Sequence, residues 1–366
     1  MNYKKIYIVK LGSAVLIDGD TLNTGVMQDI IAWVISFIQS WIAVIIVSSG
    51  AVAIGRQILV KHWIARQKKD VGYEQICASI GQPLLMKYYN DAFEKYGMTV
   101  SQGLLTRRDF AERESYISMK QLLLSSLSLS IVPIINENDV LSPEELDFSD
   151  NDQLSALVAG MVGAEKLIIL SDVAWLYDRH PDDGWKIVKE VSTIDARILA
   201  MVDTRKSSVW KWWMMSKLKT AKLIMDLGID MILASWKVRN ILPMIARDEN
   251  PWTLFHAPSP KSIDTMRKWL KAWAVPKWKI IVSTIISDLL QQKKRTSLLV
   301  IGVEQIIKDF WKWDIVEVCD ERGKCLGIGI SKMKSDEVLR AKERGESKIV
   351  IHTDYYNSLD DTEKSF

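Results

Sequence analysis

Two lysines and a set of carboxylate and amide clusters carry most of the polar chemistry of this chain. Lys10 closes a short apolar stretch and stands directly before Leu11-Gly12-Ser13. A lysine beside a turn with exposed backbone N–H groups can meet a phosphate, although a solvated lysine at a strand end has the same local sequence. Lys217 follows the tryptophan-rich segment Ser208–Trp213, near the expected start of a helix. There its charge would add to the attraction of a helix N-terminus for anions. Asp150-Asn151-Asp152 opens a periodic apolar stretch that runs to Val162. These residues suit helix capping, and in company with other polar clusters they can also orient a lysine, a metal or a substrate amine. Ser48-Ser49-Gly50, Asn136-Glu137-Asn138-Asp139 and Ser171-Asp172 each follow an apolar run in the same way.

Other chemistries find less support. His62, His180, His256 and His352 lie far apart with no ligand spacing. Cys77, Cys319 and Cys325 are an odd, scattered set that fits neither a disulfide framework nor a zinc site. No protein metal cage is therefore expected, and a reducing cytoplasm is the default compartment. No Walker motif occurs, and Gly327-Ile328-Gly329, lacking a third glycine, reads as a β-turn.

The elements that must position these groups alternate between strand and helix. Strands are expected at Ile6–Leu11, Ile42–Val47, Ile131–Ile135, Lys166–Leu170 and Met231–Ala234. Helices are expected at Met27–Ser40, Tyr73–Lys95, Ser115–Leu127, Asn151–Val162 and Met214–Leu227. Such alternation predicts βαβ units and a mainly parallel sheet covered on both faces, with ligands bound beyond the carboxyl ends of the strands. Gly12-Ser13, Ser48-Ser49-Gly50, Asn136-Glu137-Asn138-Asp139 and Ser171-Asp172 fall at those ends. Residues 1–260 form this domain, and 261–276 read as a linker that follows the Pro, Ser and Lys of His256–Lys261. Residues 277–366 change to short strands at Lys279–Val282, Leu298–Val303, Asp314–Cys319 and Cys325–Ile330, a small β-rich second domain.

Bulk composition sets outer limits. With 366 residues, 48% hydrophobic and 25% charged, the chain is an ordinary two-domain globular protein. A net charge of +3 does not by itself imply nucleic acid or membrane. In 277–366, 16 Lys+Arg stand against 15 Asp+Glu, so no basic footprint supports RNA binding. The uncharged run Ile30–Val47 reaches transmembrane length, yet Gln39-Ser40 interrupts it and a buried helix followed by a buried strand accounts for it. Two counts are unusual: 15 tryptophans, and 18 glycines against an average usage of ~7%.

Six segments in order resemble the successive motifs of bacterial glutamate 5-kinases. They are Val9–Ser13, Val47–Ala53, Leu104–Thr106, Pro133–Asp139, Asp150–Ala156 and Leu170–Asp172. The resemblance covers residues 1 to about 275, and the remainder is similar to a PUA domain. It implies an amino acid kinase-like three-layer α/β sandwich with a small β-rich PUA-like domain. It also implies ATP-dependent phosphorylation of the L-glutamate side-chain carboxylate, with Mg2+, as the first step of proline biosynthesis. By that resemblance Lys10 and Lys217 meet the transferring phosphoryl group and Asp152 holds them. Ser49, Gly50, Asn136, Asp139, Asp150 and Asn151 line the glutamate pocket. Lys10, Gly12, Ser171, Asp172 and the segment Lys211, Trp212, Trp213, Met214, Met215, Ser216, Lys217 form the ATP side. The family also implies a homo-oligomer, dimer or tetramer, and makes proline a candidate feedback inhibitor.

The chain departs from the family at glycines. Where the family has Gly-Thr-Gly-Gly-Met before its lysine, this chain has Trp210-Lys211-Trp212-Trp213-Met214. Trp41, Trp175, Trp236, Trp252, Trp273, Trp278 and Trp313 also stand where glycine is expected. Taken literally, the indoles would fill the ATP site and leave an inactive kinase fold kept for binding. The repeated choice of one replacement points instead to UGA codons that mean glycine and are written here as tryptophan. Returning the excess tryptophans brings glycine to or above the usual ~7%.

Overall fold

The computed structural model describes residues 3–18, 21–61, 71–141, 151–172, 176, 186–203, 208–247, 249, 253–257, 278–291, 296–312 and 314–358. The proposed linker 261–276, Asp150, Trp175, Trp252, Trp273 and Trp313 lie outside the described residues. The chain divides into two compact units, Met1–Pro260 and Lys261–Phe366.

The first unit is built on one sheet of eight strands: β1 (Lys5–Leu11), β4 (Ile42–Ser48), β5 (Val100–Leu105), β6 (Val132–Glu137), β7 (Lys166–Ser171), β8 (Glu190–Val191), β9 (Asp230–Ser235) and β10 (Thr253–Phe255). β2 (Ile17–Asp18) and β3 (Thr21–Leu22) form a separate small hairpin. The order in the large sheet is β5-β6-β4-β1-β7-β9-β10-β8. All its pairings are parallel except β9 with β10. Central strands buried on both faces must be apolar at nearly every position, and Ile42-Ala-Val-Ile-Ile-Val-Ser48 is buried throughout.

Helices cover the sheet. On one face Tyr7, Val9, Leu11, Val44 and Ile46 join a core with α2 (Thr24–Gln39), which also includes Ile241, Leu242 and Ile245 of α10 (Ile241–Ala246). Alternation along β1 sends Ile8 and Lys10 to the other face. There α7 (Asn151–Val162) buries Leu154, Ala156, Leu157 and Val158 completely. The uncharged run that reaches membrane length is therefore α2 followed by β4, and among the described residues no helix is long and apolar enough to cross a membrane.

The tryptophan segment behaves differently from the expectation. α9 runs from Ser208 to Asp226, so Trp210–Met214 is helical backbone and Lys217 stands inside the helix rather than near its start. Glycine costs about 1 kcal/mol per residue in a helix, and with tryptophan in its place that barrier to extending the helix is gone. Trp41 shows a related mismatch. It follows the C-cap of α2 at φ 63°, the left-handed position that glycine usually fills. Its side chain is 52% exposed, so packing does not explain its presence there.

The second unit is a six-stranded sheet of order β12-β16-β15-β14-β11-β13. Its strands are β11 (Trp278–Val282), β12 (Leu298–Leu299), β13 (Val303–Ile307), β14 (Ile315–Cys319), β15 (Cys325–Ser331) and β16 (Ile349–Ser358). Ile280, Val282, Val316, Val318, Leu326 and Val350 belong to its separate core. Two expectations need correction. Gly327-Ile328-Gly329 is not a turn but the middle of β15, where the glycines pair with Val318 and Val316. Two of the three cysteines are not scattered, because the β14–β15 hairpin sets Cys319 opposite Cys325.

Candidate active site

Parallel strands end on one edge, and this sheet gathers its polar residues there. Leu11 is level with Ser48 on β4 and with Leu170 on β7, and Ser171 is level with Ser235. Leu105 is level with Glu137 on the far side. α7 begins at the same edge, bringing Asn151 and Asp152 over the strand ends.

Asp152 is the centre of the arrangement. Its Oδ1 lies 2.6 Å from Lys10 Nζ and its Oδ2 lies 2.6 Å from Lys217 Nζ. The three side chains are 1%, 8% and 3% exposed respectively. Burial alone would raise the Asp152 carboxyl, but the two ammonium groups outweigh it and hold the pKa down at about 2. The first turn of α7 adds a favourable dipole. Two buried ammonium groups held by one carboxylate at a strand-end edge suit a site that meets an anion such as a phosphate. Gly12 lies beside this pair, where a β-carbon would make an ordinary contact at 3.5 Å from Lys10 Nζ.

A second constellation adjoins it. Asn151 Nδ2 donates to Ser48 O at 2.9 Å, Ser49 Oγ at 2.7 Å and Asn136 Oδ1 at 3.1 Å. Asn136 Nδ2 in turn donates to Gln82 Oε1 at 2.9 Å, while its Oδ1 also accepts from the Glu137 backbone N–H. Asn151 Oδ1 and Gln82 Nε2 are buried with no hydrogen-bond partner. One acceptor and one donor left open in a buried polar network mark a place for a ligand with both kinds of group. Gly50 adopts φ 107°, which turns the chain sharply between β4 and α3 (Ala51–Lys61).

Gln82 was not legible as a site residue. It lies on α4 (Val71–Glu94) and reaches the cluster because α3 and α4 pack at backbone contact. A β-carbon on Gly55 would meet the Cys77 carbonyl oxygen at 1.8 Å, and one on Gly81 would meet the Ala51 carbonyl oxygen at 1.8 Å. Glycines inside two helices were the signal that could have found this contact. Behind it, Ser48 Oγ and the Tyr89 hydroxyl are 2.8 Å apart in the core.

The remaining expected residues are less concentrated. Asp139 is half-buried in the turn after β6. Ser171 is buried at the end of β7, and the neighbouring Asp172 is partly exposed, with Lys237 Nζ at 3.6 Å and the Trp236 indole N–H donating to it. Met214 and Ser216 are buried and Met215 is half-buried on α9. The side chains of Lys211, Trp212 and Trp213 lie outside the described residues. Among the described residues no group of three potential metal ligands occurs at this edge.

Comparison with known proteins agrees with this geometry. The family model described as "Amino acid kinase family" matches residues 5–235, which is more than half the chain. The chain belongs to the amino acid kinase family. Its second unit matches the PUA domain model over residues 279–353. A protein named glutamate 5-kinase from Dehalococcoides mccartyi is 33% identical over 365 residues, covering 98% of this chain and 94% of the relative. One of the same name from Bacteroides thetaiotaomicron is 33% identical over 353 residues, covering 95% and 96%. Among solved structures, carbamate kinase from Giardia lamblia bound to AMP-PNP shares the fold with a TM-score of 0.52 at 14% identity, covering 70% of this chain and all of that one. The mainly parallel sheet with a β-rich C-terminal unit is therefore that of an amino acid kinase with an attached PUA domain.

Proposed function

We propose that this amino acid kinase family member transfers the γ-phosphoryl group of ATP to the side-chain carboxylate of L-glutamate, giving L-glutamyl 5-phosphate, the first step of proline biosynthesis. The observation that carries this reading is the buried Lys10–Asp152–Lys217 arrangement beside the open Asn151 and Gln82 amides. The relatives' names supply the substrate.

The chemistry asks for little covalent participation by the protein. A glutamate carboxylate is ionised at neutral pH and is already a nucleophile, so no general base is required. Its oxygen forms a bond to the γ-phosphorus as the bond to the ADP oxygen breaks. Lys10 and Lys217 neutralise the charge spread over the transferring group. Asp152 is a positioning residue, fixing both ammonium groups before substrate arrives. Asn151, through its open Oδ1, accepts from the substrate ammonium, and Ser49, Asn136 and Asp139 line that pocket. The ATP side is formed by Gly12, Ser171, Asp172 and the 211–217 segment. Mg2+ brought with the nucleotide would add to the neutralisation of phosphate charge that Lys10 and Lys217 supply. Dimer or tetramer formation, proline inhibition and a cytoplasmic location are proposed on family resemblance.

Coupled ADP release with glutamate, aspartate, acetylglutamate and UMP tests the reading. Turnover with glutamate alone is expected. Preference for another acceptor would overturn the substrate, and no turnover with any acceptor, by this chain and by its Trp210→Gly, Trp212→Gly, Trp213→Gly variant, would overturn the kinase activity. We further infer that glycine is the natural residue at Trp41, Trp210, Trp212 and Trp213. UGG codons at those positions in the gene would refute this.

A further inference from the structure

The β14–β15 hairpin of the second unit holds a ligand set that the kinase chemistry does not use. Glu317 and Cys319 are two apart on β14 and so share a face. A bulge between Val318 and Cys319 then shifts the register, so that Cys325 rather than Leu326 stands opposite Cys319, while Leu326 turns into the core. Bulges re-aim side chains in this way. The two sulfurs and a Glu317 carboxylate oxygen all lie within 4.8 Å of one another. With metal–sulfur bonds of about 2.3 Å, a tetrahedral ion sets its ligand atoms about 3.8 Å apart, so rotamer adjustments suffice to close the site. The turn is braced, because Asp320 Oδ1 accepts from the backbone N–H of Arg322 at 3.0 Å and Lys324 at 2.8 Å.

We propose that Glu317, Cys319 and Cys325 bind one thiophilic divalent cation of the Zn2+ class, with solvent as the fourth ligand. Two sulfurs and one carboxylate suit a borderline-soft ion, whereas Mg2+ and Ca2+ require oxygen ligands throughout. Cys319 is 1% exposed, so the ion would be shielded on one side. Lys279, whose Nζ lies 2.7 Å from Glu317 on the neighbouring strand, balances the carboxylate in the metal-free state. Its side chain is 50% exposed and can withdraw into water when a cation takes its place. The proposal is independent of the kinase reading.

The test uses the full chain, stripped with a chelator and titrated with Co2+ as a spectroscopic stand-in for Zn2+. The expected result is a thiolate-to-cobalt charge-transfer band that saturates at one ion per chain and is displaced by Zn2+. Cys325→Ser should abolish the band, Glu317→Gln should weaken binding about tenfold or more, and Cys77→Ser should leave it unchanged. No band in the parent chain, or a band that survives Cys325→Ser, overturns the proposal. So does a Cys319–Cys325 disulfide found in protein isolated from a reducing cytosol without added reductant. Cys319→Ala read by the same titration keeps the test decisive if Cys325→Ser does not fold.

Discussion

The acceptor side and the nucleotide side of the active edge are built from the same sheet but differ in completeness. On the acceptor side, Asn151, Asn136, Gln82, Ser48 and Ser49 form one connected hydrogen-bonded network. All but Gln82, which lies within α4, sit at or next to a strand end or helix start, and only two atoms are left open. On the nucleotide side, a segment expected to be a glycine loop is instead the first turns of α9. A network of short polar side chains is set by the strands that carry it. A phosphate loop depends on backbone freedom, and replacing its glycines removes that freedom while every charged residue stays in place.

The largest effect expected is at the residue that joins the two sides. Lys217→Met should lower kcat by about 10²–10³, or about 2.7–4 kcal/mol, with a smaller change in KM for glutamate. A rise in KM with kcat unchanged would show that Lys217 serves binding rather than transfer. Acid should act next most strongly, through Asp152. Its carboxyl ionises more readily in the folded chain, so its stabilisation is complete above the ordinary value near 3.8 and is lost as pH falls toward about 2. That loss is on the order of 2 kcal/mol and should appear as steeper acid unfolding of the parent than of an Asp152→Asn variant. On the acceptor side alone, Gln82→Leu should raise KM for glutamate about tenfold, about 1.4 kcal/mol, because Asn136 loses the acceptor that fixes its amide. An unchanged KM would remove Gln82 from the site. The smallest effect is away from both sides. Trp41→Gly should stabilise the fold by about 1 kcal/mol by relieving the left-handed strain, measured as a shift in denaturant midpoint at constant m-value.

Much of the fold could be read from local pattern. The strands at Lys5–Leu11, Ile42–Ser48 and Lys166–Ser171 were visible because a buried parallel strand has to be apolar along its whole length. The helix Asn151–Val162 was visible because its polar opening and apolar run coincide. β5 was missed, since the consecutive Ser101, Gln102 and Gly103 fall inside Val100–Leu105 and leave neither an alternation nor a continuous apolar run. α9 starts six residues before the expected Met214, because the polar, tryptophan-rich stretch Ser208–Trp213 reads as turn-like and shows no apolar helical period. At the site, Lys10, Asn136, Asn151 and Asp152 lie at element ends, where polar residues interrupt apolar runs. Gln82 lies within a helix, and its role exists only through the contact of α3 with α4.

The sequence by itself determined which groups exist and which edge of the sheet they occupy, because a parallel strand order sends every strand end to the same side. It also fixed that Glu317 and Cys319 share a face, since strand periodicity is local. Only the tertiary structure decided that one carboxylate, Asp152, takes both lysines, 142 and 65 residues away along the chain, into one buried pair of contacts. Likewise, only a bulge in a hairpin brought Cys325 opposite Cys319. Distances between elements arise from packing that no local pattern records, and the chemistry of both sites depends on those distances.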